Sequence, residues 1–242
     1  MPNFISSARM RARGLRRSAL SASAGLAALL AACSTTAPGG QRGLIDARDV
    51  VPGLQHDIRY AGSDNFVGTP VRGYEAPKCL LLKPAAEALA WVARDLRRDG
   101  YVLHVFDCYR PQRAVHHFVE WARGPDDPRS RQQHYPRVAK SALLGTYIAE
   151  TSGHSRGLTL DLTLTRCDGG TCTPLDMGTP FDFLDERAHT DSPLVTPAQR
   201  ANRERLREAM ARHGFRNYPL EWWHYTLDLG TPPPPLLDVP VR

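Results

Sequence analysis

SGHSRGLTLDLTL, residues 152–164, carries two signals at once. Leu158, Leu160, Leu162 and Leu164 alternate with Thr159, Asp161 and Thr163. That period of two predicts a half-buried β-strand with one apolar and one polar face. Asp161 falls on the polar face, and His154 sits in the glycine-bearing turn that leads into the strand. Both are metal-ligand types. A third stands far along the chain in Glu221-Trp222-Trp223-His224-Tyr225. Two imidazoles, one carboxylate and an open fourth position form the donor set of a catalytic zinc. Glu221, three residues before His224, is placed to move protons there. Residues three apart on an ideal strand face opposite ways, so this pairing requires a turned or bulged approach through Pro219 and Leu220. By residue type alone, a structural or surface role stays open for each histidine and for Glu221.

On the N-terminal side, Gln55–Tyr60 reads as a strand and Asp64–Gly68 as a loop. A helix is predicted over Pro84–Arg98, with Leu89, Val92, Ala93 and Leu96 on one face and Gly100 as its stop. Tyr101–Cys108 is a strand ended by Arg110-Pro111, and a second helix covers Gln112–Arg123. Gly124–Pro136 is polar and loop-like, Ala139–Ile148 a short helix, and Asp176–Glu186 irregular. Thr196 and Pro197 are the N-cap and first residue of a last helix, with Leu206, Ala209, Met210 and His213 as its stripe and Gly214 its end. Phe215–Leu229 carries the final strand. Helices and strands mix without βαβ regularity, so the class is α+β.

The chain ends predict organisation. Arg9, Arg11, Arg13, Arg16 and Arg17 precede an Ala/Leu-rich run that closes in Leu30-Ala31-Ala32-Cys33. This resembles the lipobox of bacterial lipoprotein signal peptides, with residues 1–32 the signal and Cys33 the lipidated residue. The implied location is exported, at the periplasmic face of the outer membrane, since Ser34 rather than Asp follows. An ordinary secretory signal or an uncleaved anchor is the alternative. Residues 33–43 read as a flexible tether, 44–230 as the catalytic domain, and 231–242 as a Pro-rich, flexible tail. The 31 basic and 25 acidic residues give +6, but without the five N-terminal arginines the balance is 26 to 25. A near-neutral mature chain offers no electrostatic support for nucleic-acid binding. Cys79, Cys108, Cys167 and Cys172 form an even set that suits disulfides in an exported protein. The expected pairs are Cys167–Cys172, across a short turn, and Cys79–Cys108. Free thiols are the rival, and a four-cysteine zinc site is disfavoured because no C-x-x-C pair exists.

Arg110, in Phe106-Asp107-Cys108-Tyr109-Arg110-Pro111, is permanently charged and has a rigid fork of donors. It suits an oxyanion, or equally an ion pair with Asp107 or another carboxylate. With S-x-H-x-x-G-x-x-x-D at 152–161 and E-W-W-H at 221–224, the chain resembles the D-alanyl-D-alanine dipeptidases. That zinc peptidase group also contains D,D-carboxypeptidases and the hedgehog-like fold. The likeness runs from about Gln55 to Leu229, through Asp57–Tyr60, Asp64–Phe66, Gly73–Ala76, Phe181–Phe183 and Asp185–Arg187.

The resemblance implies a small central, mainly antiparallel sheet flanked by helices. It also implies one zinc per chain on His154, Asp161 and His224, with Glu221 as general base toward a zinc-activated water and Arg110 stabilising the tetrahedral intermediate. Asp182, Tyr60 and Ser152 fall near substrate-pocket positions, with Asp182 receiving the free ammonium of a D-Ala-D-Ala dipeptide. Thr159 stands where the family usually has Ala, beside Asp161, where it bears on pocket volume. The expected partners are this dipeptide and a membrane reached through the N-terminal lipid. The alternatives are a D,D-carboxypeptidase acting on peptidoglycan stems and a non-catalytic wall-binding lipoprotein.

Overall fold

The computed structural model describes residues 43–230 and 232–242. The signal segment, Cys33 and the tether up to residue 42 lie outside the described residues. Along the chain come β1 (Leu44–Asp46), β2 (Gln55–His56), β3 (Leu80–Leu82), α1 (Lys83–Arg98), β4 (Tyr101–Asp107), α2 (Gln112–Arg123), α3 (Pro128–His134), β5 (Thr159–Asp168), β6 (Thr171–Pro174), α4 (Pro197–Ala211), β7 (Phe215–Asn217) and β8 (His224–Leu227). The main sheet has the order β2-β4-β5-β8-β7, with β6 folded back on β5; β1 and β3 form a separate antiparallel pair. Every pairing is antiparallel except β2 with β4. The class is α+β. Helix α1 packs on β4 and α4, and α4 packs on β7.

β5 is the axis of the sheet, and its alternation means something different from the expectation. Leu160, Leu162 and Leu164 are buried, but so are Thr159, Asp161, Thr163 and Thr165. The strand is covered on both faces. Two of its threonines are bonded: Thr165 Oγ1 donates to Val102 O at 3.1 Å, and Thr159 and Thr226 hydroxyls meet at 2.9 Å. A register shift between Val105 and Asp107 then sets Asp107 opposite Asp161.

Several boundaries differ from the sequence reading. The first strand stops at His56, and Arg59–Ala61 turns into a 3-10 helix that buries Tyr60. Asn65 imposes this turn: its Nδ2 donates to the carbonyls of Arg59, Gly62 and Thr69, and its Oδ1 accepts from Val67 and Gly68 N–H. The polar 124–136 segment contains α3, capped by the Asp127 side chain with Pro128 in its first turn. The helix expected over 139–148 is reduced to the 3-10 turn Lys140–Ala142, and Gly145 follows at φ +84. The final strand is a hairpin, β7 and β8, whose connection folds back through Tyr218 to Trp223. The Pro-rich tail is not loose: Leu237 N donates to Ser155 O at 2.8 Å, Tyr109 hydroxyl bonds both N–H and C=O of Val239, and Val241 is buried beside Tyr74. The cysteines pair as Cys79–Cys108 and Cys167–Cys172. Among the described residues, no helix is long and apolar enough to cross a membrane.

Candidate metal centre

Three elements deliver the candidate ligands. Asp161 on β5 and His224 on β8 are direct cross-strand partners, so sheet register alone sets them side by side. His154 comes from the 3-10 turn Gly153–Arg156, whose N-cap Ser152 accepts the His154 N–H. Gly157 ends that turn at φ +71, and a Cβ there would lie 2.8 Å from Leu44 Cδ2. His154 Nδ1 lies 2.7 Å from Cys108 O. An N–H on Nδ1 satisfies that carbonyl and leaves the Nε2 lone pair for a cation.

His154 Nε2, His224 Nδ1 and Asp161 Oδ1 form a near-equilateral triangle with edges of 3.3, 3.2 and 3.3 Å. Ligands about 2.0–2.1 Å from a tetrahedral zinc are separated by about 3.3–3.4 Å, so the donors fit in number, type and spacing. Asp161 Oδ1 is buried and has no hydrogen-bond partner, which is costly unless a cation faces it. Electrostatics agree. Burial opposes ionisation of Asp161, yet the two imidazoles hold its pKa below the usual range. Burial also opposes a charged His224, but Asp161 and Glu221 outweigh it and raise that ring to about 9. The cluster favours positive charge at its centre.

Glu221 Oε2 lies 3.3 Å from His224 Nδ1. The approach is turned as the spacing required: Glu221 N donates to Tyr218 O, and Asn217 Nδ2 donates to the carbonyls of Glu221 and His224. This brings residues 221 and 224 to one side. Arg110 is both ion-paired and at the centre. Its Nε and Nη2 reach Asp107 Oδ2 at 2.9 and 2.8 Å, and Nη2 is 3.4 Å from Asp161 Oδ2. Nη1 has no protein acceptor among the described residues. Tyr74 hydroxyl donates to Asp107 Oδ1 at 2.6 Å.

Arg110, Asp161, Glu221 and His224 border a cleft of about 270 Å³ that Tyr60, Ser152, Asp182 and Trp223 also line. Tyr60 hydroxyl reaches both Asp182 carboxylate oxygens, at 3.1 and 3.0 Å. Burial, reinforced by the charge of Asp161, pushes the Asp182 pKa well above the carboxylate range. Asp182 also sits at φ +58, alone among the non-glycine described residues at positive φ, a strained backbone of the kind that gathers at functional sites. Thr159 does not line the cleft; it faces Gly153 and Thr226. Sequence reasoning gave no role to Tyr74, to the Cys108 carbonyl, or to the 145–151 loop and Tyr218 that wall the cleft. Only Tyr74 left a signal, inside Gly73–Ala76.

Two imidazoles and a carboxylate spaced for one ion, with Glu221 and Arg110 beside them at the cleft, are the equipment of a metal-dependent hydrolase. The pattern described as D-ala-D-ala dipeptidase matches residues 40–241. The D-alanyl-D-alanine dipeptidase of Enterococcus faecium is 40% identical over 195 residues, covering 80% of this chain and 96% of that protein. Those of Streptomyces coelicolor and Escherichia coli are 40% and 35% identical, over 80% and 81% of this chain and 95% and 90% of theirs. The chain belongs to the D-Ala-D-Ala dipeptidase family of the M15 peptidases. A solved vancomycin-resistance D,D-pentapeptidase, VanY in complex with Zn(II), aligns over 65% of this chain and 77% of its own at 21% identity and a TM-score of 0.36.

Proposed function

We propose that this protein hydrolyses the D-Ala-D-Ala dipeptide in the cell envelope, with one zinc ion per chain held by His154, Asp161 and His224. The carrying observation is the donor triangle, sized for one tetrahedral ion, with Glu221 and Arg110 against it. The chemistry zinc supplies when bound is Lewis acidity toward the scissile carbonyl and toward a water whose pKa falls to about 7.

The remaining work falls to the chain. Glu221 Oε2 accepts the proton of the attacking water and passes it to the leaving amine nitrogen. Arg110, kept charged by Asp107 against the cost of burial, presents its free edge to the carbonyl oxygen as that oxygen gains charge. Asp182 receives the substrate ammonium, and the Tyr60 hydroxyl holds its carboxylate in place. An N-acylated stem peptide brings no ammonium to pair with Asp182, whose carboxyl then keeps its proton, so that subsite contributes no charge pairing, which disfavours the carboxypeptidase reading. Export and lipidation at Cys33 rest on the basic n-region, the apolar run and Leu30–Cys33, and the two disulfides suit that compartment.

The test is amine release from D-Ala-D-Ala, L-Ala-L-Ala and an N-acylated stem peptide, with and without chelator. Turnover of the D,D-dipeptide alone, lost with chelator and restored by zinc, is expected. Equal cleavage of the acylated stem would replace this reading by the carboxypeptidase one. Radiolabelled fatty acid on wild type but not on Cys33→Ala would test the anchor.

A further inference from the structure

Cys79 and Cys108 are buried and joined, with Cα atoms 5.1 Å apart. Cys108 lies two residues before Arg110, and Cys79 immediately precedes β3. The peptide unit between Cys108 and Tyr109 is held at both edges. Its N–H donates to Leu80 O at 2.9 Å, and its C=O accepts from His154 Nδ1 at 2.7 Å. Because a peptide unit is planar, anchoring one edge aims the other. β3 also holds the far end of the histidine turn, through Leu82 N to Gly157 O at 2.8 Å, and Arg110 N donates to His154 O at 3.3 Å. The segment 79–82 therefore braces two corners, one carrying Arg110 and one carrying His154. The disulfide is the covalent link between that brace and the Arg110 corner.

We propose that the Cys79–Cys108 disulfide is a positioning element of the metal centre, fixing the Cys108 carbonyl that orients His154 and the corner that presents Arg110. This rests on the reading of the centre as a zinc site. The second disulfide is a built-in control. Cys167–Cys172 clips the β5–β6 turn, six residues along β5 from Asp161, or about 20 Å at strand rise. It touches neither corner. A disulfide that only stabilises the fold affects melting alone, whereas one that orients a ligand affects how tightly the ion is held.

The experiment compares full-length C79A/C108A and C167A/C172A with wild type, well below their melting temperatures. Readouts are zinc affinity by chelator competition, kcat and KM for D-Ala-D-Ala, and Tm of the zinc-free protein. C79A/C108A keeps the Cys108 carbonyl but no longer ties it down, and is expected to hold zinc about tenfold more weakly, the low end of the cost of losing a ligand's outer partner, and to lose about tenfold in kcat with KM within about twofold. C167A/C172A is expected to match wild type in both. If C79A/C108A does not fold, Cys79→Ala alone cuts the same bond, keeps the Cys108 side chain in place and carries the same expectation. Wild-type zinc affinity and kcat in the variant lacking Cys79–Cys108, with only Tm lowered, would overturn the proposal, as would equal losses in the control. Zinc competition needs no substrate, so an error about D-Ala-D-Ala would show as an inert wild type and leave that arm readable.

Discussion

Removing Arg110 should do two separable things. Asp107 is fully buried, and its charge is met by Arg110 Nε and Nη2 at 2.9 and 2.8 Å and by the Tyr74 hydroxyl at 2.6 Å. Arg110→Met strands that carboxylate, a loss of about 3–5 kcal/mol when a buried pair is broken from one side. At about 2–4 °C per kcal/mol for a domain of this size, Tm falls by roughly 6–20 °C. Adding Asp107→Asn removes the stranded charge, keeps the side-chain size and should restore most of the stability. Turnover should not return with it. An electrostatic donor aimed at a developing oxyanion is worth about 10²–10³ in kcat, or about 3–4 kcal/mol of barrier. The double variant is therefore expected to melt near wild type and bind one equivalent of zinc, yet remain at least about 100-fold slow on D-Ala-D-Ala. Calorimetry, metal analysis and amine release measure the three quantities. A double variant within about tenfold of wild-type kcat would reduce Arg110 to the counter-ion of Asp107.

Glu221→Gln should keep full zinc content while turnover drops by about 10²–10⁴; loss of the metal instead would make Glu221 a ligand. Asp182 carries a pH prediction. Burial raises its folded pKa, so the native state holds this proton more tightly than the unfolded chain. Stability then declines as pH rises above about 4, where the unfolded carboxyl ionises, until the folded pKa is passed. Asp182→Asn removes that decline and tolerates the positive φ. Its substrate-free Tm should equal wild type near pH 4 and exceed it at pH 8, while KM rises about tenfold or more for want of the ammonium's partner. A Tm difference that does not change with pH would contradict this. Arg203 is a buried cation, lowered to about 10 by burial, whose guanidinium donates to the carbonyls of Met177, His189 and Arg187. Arg203→Met leaves one buried and two part-buried acceptors unmet, at about 1–3 kcal/mol for the buried one, so a Tm loss of roughly 2 °C or more is expected by calorimetry.

Much of this protein could be read from its local chemistry. The stripe of α1, the Thr196-Pro197 start of α4 and the alternation of β5 follow from periodicities and caps that each segment carries within itself. The candidate ligands were visible because so few residue types hold zinc, and the E-W-W-H spacing already demanded the bend found between β7 and β8. Errors arose where a side chain outside the segment decides. Asn65 collects three carbonyls and breaks the first strand early, and a Pro-rich tail is held down by Tyr109 and Ser155, more than 80 residues away in sequence. Alternation predicted one wet face on β5, but period two reports only that two faces differ, and what covers the second is decided by other elements. Residue types and local periodicity were enough for the donor types, the strand that bears Asp161 and the class of chemistry. Strand pairing and packing across the chain were needed to set three donors 3.2–3.3 Å apart around one point, to hold Asp107 between Arg110 and the Tyr74 hydroxyl, and to aim the imidazole with a peptide tied to Cys79. Those are distances between segments far apart in the chain, and they exist only once β4, β5 and β8 have paired.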